Sequence, residues 1–253
     1  MTETTDTLNT TRDTTQGPML DPALYLIPST MSDARVGDVI PEGNFRVIAG
    51  ISHFVVENIR TARRFLKRAC PSIVIDSLTF ETLDEHTPPE AVAGMLAPLA
   101  DGHPVGVISE AGCPAVADPG ADLVAVAQAR GFKVVPLVGP SSIILSLMAS
   151  GFNGQSFAFR GYLPYDTKAR AASLKDMERM IRTHSQTQIF IETPYRNNRL
   201  IRELTSSLPS GMRLCVASDI TGSSQSIVTR TLGQWASAHY NYDKVPTIFL
   251  LYS

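Results

Sequence analysis

Short runs of consecutive apolar residues, with little alternation, recur along the first half of the chain. They are "LYLI" at 24–27, "RVIA" at 46–49, "IVID" at 73–76, "VGVIS" at 105–109 and "KVVPLV" at 133–138. A strand covered on both faces reads this way, because both sets of its side chains meet apolar neighbours. Helix signals stand between the runs. Thr87, Pro88, Pro89 and Glu90 combine a capping residue, prolines for the first turn and an acid three places after the cap. Asp118 and Pro119 open a second helix that Gly131 ends, and Pro140 opens a third that Gly151 ends. Strand alternating with helix predicts a parallel, doubly wound sheet.

After "GFNGQS" (151–156) the pattern restarts, with strands expected at 157–161, 187–192, 212–217, 225–230 and 246–252 and helices at 168–183, 194–208 and 231–239. The strands near 214 and 227 are joined by a short loop, which predicts antiparallel pairing in this half. The expected fold class is α/β, with an N-terminal α/β domain over 21–139 and a C-terminal one over 140–253. Residues 1–20 are Thr-rich and poor in large apolar side chains, so they are expected to form a disordered tail. Met19, just before the first strand, offers an alternative start to be expected from the sequence. No internal repeat of the solenoid kind is evident.

Composition narrows the function classes. Hydrophobic residues make up 43% of the 253 and charged residues 18%, which is ordinary for a chain with a proper core. A net charge of −2 excludes a strongly basic nucleic-acid binder but leaves a local basic patch open. Cys70, Cys113 and Cys215 are scattered without a CxxC or zinc spacing, so no metal is expected and a reduced, cytoplasmic setting fits. No run approaches the ~20 apolar residues of a membrane span, and the polar first stretch does not read as a signal peptide.

The candidate chemistry lies in loops that follow strands, where open α/β sheets bind ligands. These are "PSTMSD" (28–33), "SEAGCPAVADPG" (109–120), "GPSS" (139–142) and, in the second half, "ETPYRN" (192–197). The 109–120 loop is longer than the ~2–6 residues a simple turn takes, and its small side chains leave backbone open to a ligand. Ser141 and Ser142 add hydroxyls to the free N–H groups of a helix start, suited to a carboxylate or phosphate; the plainer role is capping. Glu110 accepts from a ligand amine or caps a helix. Cys113 reads as a small buried side chain, since no base stands beside it. No P-loop, G-x-G-x-x-G or G-x-S-x-G is present. Arg60, Arg64, Lys67 and Arg68 share one side of a helix, and Lys168, Arg170, Lys175, Arg179 and Arg182 mark another basic segment. Each is either a solvated face or a surface for a polyanion.

Taken together these loops resemble the tetrapyrrole methylase family of methyltransferases that use S-adenosyl-L-methionine (SAM). The branch most like them methylates a ribose 2′-oxygen of bacterial small-subunit ribosomal RNA. Its S-D-A-G-T-P and D-P-G stretches appear as Ser109, Glu110, Ala111, Gly112, Cys113 and Pro114, then Asp118, Pro119 and Gly120. Its P-G-P loop appears as Val138, Gly139, Pro140, Ser141 and Ser142. Its G-F-L-P appears as Gly161 to Pro164, and its F-Y-E-S-x-H-R as Phe190 to Arg196. The likeness runs from about Leu24 to Thr205. The chain departs from the family at "PSTMSD", at Glu57 to Arg60, at 218–222 and at 245–248. The cofactor loops are thus expected to be kept better than the substrate-facing residues.

The resemblance implies two α/β domains with a SAM cleft between them. It implies cofactor contacts from Pro28, Ser109, Glu110, Ala111, Gly112, Pro114, Val116, Ser141 and Ser142, with Thr193 and Tyr195 on the opposite wall. Glu57 and Glu192 are candidate bases for an alcohol nucleophile, or else hold loops, and Arg60 is a candidate anion contact. Ribosomal RNA is the implied substrate, met by the two basic segments, and a homodimer the implied assembly, aided by the apolar "SIILSLMA". Two alternatives stay open: a methyltransferase of a small molecule such as a tetrapyrrole, and a SAM- or RNA-binding protein without catalysis.

Overall fold

The computed structural model describes residues 20–253 apart from Glu85, so the expected disordered tail lies, but for Leu20, outside the described residues. The first half runs β1 (Ala23–Ile27), α1 (Val36–Val39), α2 (Glu42–Ala49), β2 (His53–Val56), α3 (Ile59–Ala69), β3 (Thr79–Thr82), α4 (Pro89–Val92), α5 (Ala97–Ala100), β4 (Val105–Ile108), α6 (Ala121–Ala129) and β5 (Lys133–Pro136). Its five strands form a wholly parallel sheet in the order β3-β2-β4-β1-β5. Both faces are covered. Ala23, Tyr25 and Ile27 of β1 pack with Phe65 and Leu66 of α3, while Leu24 faces Leu99 of α5 and Leu123 of α6. Double coverage explains the unbroken apolar runs of β1 and β4.

Two strand expectations are corrected. Residues 46–49 close α2 instead, with Ile48 buried and Gly50 following as C-cap; a four-residue apolar run does not distinguish a packed helical turn from a strand. Residues 73–76 enter a 3-10 turn (Ile75–Ser77). The strands are β2 and β3, and β3 escaped notice because, at the sheet edge, its "TFET" is half exposed. The capping expectations shift too. Thr87 donates to the Asp84 carboxylate at 3.0 Å, and Pro88 precedes α4 without a side-chain cap. Gly120, at φ 122°, stands before α6 in place of Asp118.

The second half opens with α7 (Ser142–Ser150), followed by β6 (Phe157–Tyr162), α8 (Thr167–His184), β7 (Thr187–Ile191), α9 (Asn197–Ser207), β8 (Arg213–Ser218), β9 (Ser226–Thr231), α10 (Leu232–Ser237) and β10 (Thr247–Tyr252). The sheet order is β6-β7-β10-β8-β9, with β6 and β7 parallel and the other pairs antiparallel, including β8 with β9 as expected. Leu174, Met177 and Ile181 of α8 and Leu200 and Leu204 of α9 cover one face; Leu147 of α7 covers the other with Ile189, Cys215 and Leu250. The helix that leaves β5 therefore packs on the second sheet, which brings the strand ends of the first sheet against the second. No helix among the described residues is long and apolar enough to cross a membrane.

Gly106 shows how tightly the first sheet is filled. A Cβ there would lie 2.8 Å from Ile27 Cδ1 and 2.9 Å from Phe54 Cδ1. Gly106→Ala should cost about 1–3 kcal/mol by overpacking, seen as a lower urea midpoint at an unchanged m-value.

Candidate active site

The loops after β1, β4 and β5 are joined mainly through backbone groups. The Ser29 amide donates to the Gly112 carbonyl at 2.9 Å, and the Ser29 hydroxyl to the Ser109 carbonyl at 3.2 Å. The Cys113 thiol donates to the Pro140 carbonyl at 3.4 Å, the part of a small, half-buried side chain. Gly139 is pressed against Pro28, where a Cβ would lie 2.2 Å from the ring. Gly112 holds φ 74°, and Ala115 and Ala117 hold φ 65° and 61°, a left-handed backbone that costs an alanine about 1–2 kcal/mol. Strain of this kind gathers where a loop is shaped for a ligand.

Beside these loops lies a cleft of about 290 Å³. Ala111, Gly112, Val116, Ser141 and Ser142 line one wall, joined by Met31, Cys113, Ala117 and Ile143. No side chain caps α7, so the Ser141 hydroxyl is not engaged in a cap. The facing wall comes from the second sheet: Tyr162, Ile191, Glu192 and Pro194 near β6 and β7, then Ala217, Asp219 and Ile220 after β8, and Pro246 to Ile248 at the start of β10. Asp219, at φ 47°, accepts from the Ser224 amide at 2.9 Å, and its carboxyl occupies the space a Cβ at Gly222 would take.

Several residues expected at the site stand elsewhere. Pro28 packs on Gly139, and Pro114 is buried behind the loop. Ser109 and Glu110 line a second cavity of about 620 Å³ between α3 and the ends of β1 and β4. Thr193 and Tyr195 flank Pro194 outside the cleft lining, and Tyr195 is 75% exposed. Arg60 is exposed on α3. The residues at 219–220 and 246–248, within two of the stretches where the chain departs from the family pattern, line this same cleft. The local signal at 219–220 was a tight turn after the apolar β8, while 246–248 only open the next strand; nothing local says which strand ends face the first sheet.

The carboxylates are in three different situations. Glu57 accepts the Glu110 amide at 3.2 Å and so braces the 109–120 loop. Glu192 is 4% exposed. It accepts from Arg170 at 2.7 Å, from Arg196 at 2.9 Å and from the Thr193 amide at 2.8 Å. Burial alone would raise its pKa, but the Arg170 bond, the Thr193 amide and the two guanidinium charges outweigh burial and hold it low. It is thus a poor proton acceptor. Asp118 is pushed up to about 6, first by burial, then by the charges of Glu57 and Glu110, with the Ser109 hydroxyl opposing.

The network also corrects the expected basic segment at 168–182. Arg170 is buried, tied to Glu192, the Pro164 carbonyl (3.3 Å) and Glu203 (3.0 Å), so it is not available to a phosphate; Lys168 remains exposed.

The cleft lies between two five-stranded α/β units, with one wall of bare loop backbone, the architecture of a two-domain α/β class. Uroporphyrin III C-methyl transferase from Thermus thermophilus shares the fold, with a TM-score of 0.54 at 15% identity over 91% of this chain and 97% of that one. No protein-family profile matches the chain. Among curated relatives, ribosomal RNA small subunit methyltransferase I of Vibrio cholerae is 29% identical, over 91% of this chain and 77% of that protein. Its counterpart in Mesorhizobium japonicum is 30% identical over 87% and 71%. The chain belongs to the ribosomal RNA small subunit methyltransferase I family, within the tetrapyrrole methylase class.

Asp118 makes the loop's stability depend on pH. Between about 6 and the unperturbed 3.8 the folded chain holds a proton here that the unfolded chain lacks, so stability rises as pH falls through 6 and levels off near 3.8. Asp118→Asn should remove that rise and, at pH 7, melt at a higher temperature than the parent; thermal melts from pH 4 to 8 check both.

Proposed function

We propose that this methyltransferase uses SAM to methylate a ribose 2′-hydroxyl of small-subunit ribosomal RNA. The observation that supports it best is the identity to the named relatives, which at 87% of the chain extends beyond either α/β unit and so includes both walls of the cleft.

The residues present fit SAM. Gly112 leaves room that a Cβ, 3.4 Å from the Pro140 carbonyl, would take. The uncapped start of α7, with Ser141 and Ser142, offers donors for a carboxylate. Asp219 offers an acceptor for an amine, and Ile143, Ile191, Ile220 and Ile248 offer an apolar bed for a ring. When bound, SAM supplies a methyl group on a positively charged sulfur, open to in-line attack. The chain's own part is to orient the partners and exclude water. Glu57 and Glu192 act as braces, since both carboxylates are already engaged by the fold.

Support for an RNA substrate comes from α3. Arg64, Lys67 and Arg68 line the second cavity, where Arg68 donates to the Thr30 hydroxyl at 3.0 Å, and Arg60 and Arg64 have no side-chain partner among the described residues. A protein of net charge −2 must meet phosphates through such local clusters. The shared fold favours a tetrapyrrole as the second reading. Mapping ribose methylation in ribosomal RNA from cells with and without the gene separates the two, since an unchanged map removes the RNA reading. The cytoplasm is the proposed setting, in keeping with three free cysteines.

S-adenosylhomocysteine should bind the parent protein and bind Gly112→Val at least tenfold more weakly, because a β-branched residue is strained at φ 74° and fills the cleft wall. Calorimetry without heat from the folded parent would remove the cofactor assignment. We also propose a homodimer, supported by Ile144 and Met148, which are 46% and 74% exposed one turn apart on α7. Light scattering should give twice the 27.4 kDa chain mass.

A further inference from the structure

Beyond Glu192 the cleft adjoins a third cavity, of about 600 Å³, and Glu192 lines both. The surface around it combines two features that seldom occur together without a function. The first is a set of exposed aromatic rings: Tyr162, Tyr165 and Tyr195 are 62%, 84% and 75% exposed. Burial would stabilise a tyrosine ring, so the exposure of Tyr162 at the cleft, Tyr165 at the third cavity and Tyr195 between the cleft-lining Pro194 and the cavity-lining Arg196 needs an explanation. Local backbone sets two of them. An irregularity in β6 between Phe159 and Tyr162, with Gly161 at φ 66°, turns Tyr162 outward at the cleft mouth. Tyr195 is turned away from the cleft by the 3-10 turn Pro194–Arg196. Tyr165 has the Arg196 guanidinium over its ring, 5.1 Å from the centroid, which holds the ring in place.

The second feature is unspent positive charge. Arg170, Arg196, Arg199 and Arg202 line the third cavity against Glu192 and Glu203. Arg170 and Arg196 are committed to those two carboxylates. Arg199 and Arg202, one turn apart on α9, make no side-chain hydrogen bond or ion pair among the described residues, and both are exposed.

We propose that Tyr162, Tyr165 and Tyr195, with Arg199 and Arg202, form a docking platform for an unpaired RNA strand that leads into the cleft. Exposed rings together with unpaired guanidinium groups match a single strand, whose bases present free faces for stacking while its phosphates take the charge. A paired helix keeps its base faces stacked inside and cannot use the tyrosines. The platform rests on the RNA reading above and adds to it that the substrate segment is unpaired beside the target ribose.

The test uses the full chain, a fluorescein-labelled unpaired RNA of about 12 nucleotides, and the same sequence annealed to its complement. Fluorescence anisotropy across a salt series is the readout. The strand should bind more tightly than the duplex. Tyr165→Ala should weaken strand binding at least ~5-fold, with Tyr165→Phe within ~2-fold of the parent, because the ring face is kept. The double variant Arg199→Ala/Arg202→Ala should lower the salt slope by about 1.4, at ~0.7 per phosphate on a single strand. S-adenosylhomocysteine affinity, unchanged in these variants, confirms that they are folded. Parental strand affinity in Tyr165→Ala together with a parental slope in the double variant overturns the platform, even in an enzyme that methylates RNA. Loss of strand affinity in both supports it, whether or not methyl transfer is seen. A duplex bound as tightly as the strand also overturns it.

Discussion

A buried carboxylate must be paired, and in this chain the carboxylate of Glu192 organises one whole wall of the cleft. At 4% exposure an unpaired charge there would cost several kcal/mol, and breaking such a pair about 3–5. Arg170 reaches it from α8 and Arg196 from the turn after β7, while Glu203 of α9 holds the other edge of Arg170 at 3.0 Å. Helix, strand and helix are locked to one point. The turn this imposes sends Pro194 into the cleft and Tyr195 to solvent, and spends the guanidinium of Arg170 inside the protein. A residue that looks basic in the sequence thereby contributes nothing to an outer surface.

The facing wall is built on the opposite principle. It has almost no charged side chain to present, only backbone folded tightly enough to be close to a ligand. Gly112 and Gly139 allow the three strand-end loops to touch, and Ala115 and Ala117 accept left-handed conformations to continue the path. The strain is balanced by hydrogen bonds between loops, from Ser29 to Gly112 and from Glu110 to Glu57. The cost also appears electrostatically, where Glu57, Glu110 and Asp118 are drawn together and Asp118 is pushed toward the protonated form. One rigid wall of charge-locked elements and one wall of strained backbone together suit a reaction that needs orientation more than acid or base groups.

Much of this was written locally. Doubly covered strands announce themselves as unbroken apolar runs, as β1, β4, β7 and β10 do, whereas the edge strands β5, β6 and β9 are half exposed and were read from the short apolar stretches they keep. The long loop of small residues marked the ligand side of the first sheet because a ligand needs bare backbone there. Edge strand β3 and the short β2 were missed, since half exposure breaks the run and a packed turn of α2 imitates one. The sequence by itself determined the α/β class, the loops of the first wall and the presence of basic segments, because each depends on neighbours within a few residues. Only the tertiary structure decided that Asp219, Ile220, Thr247 and Ile248 close the cleft, that Arg170 is spent on Glu192 while Arg199 and Arg202 stay free, and that Asp118 meets Glu57. Those outcomes depend on which distant strand ends and helix faces meet across the fold, and pairings over such separations leave no periodicity in the chain.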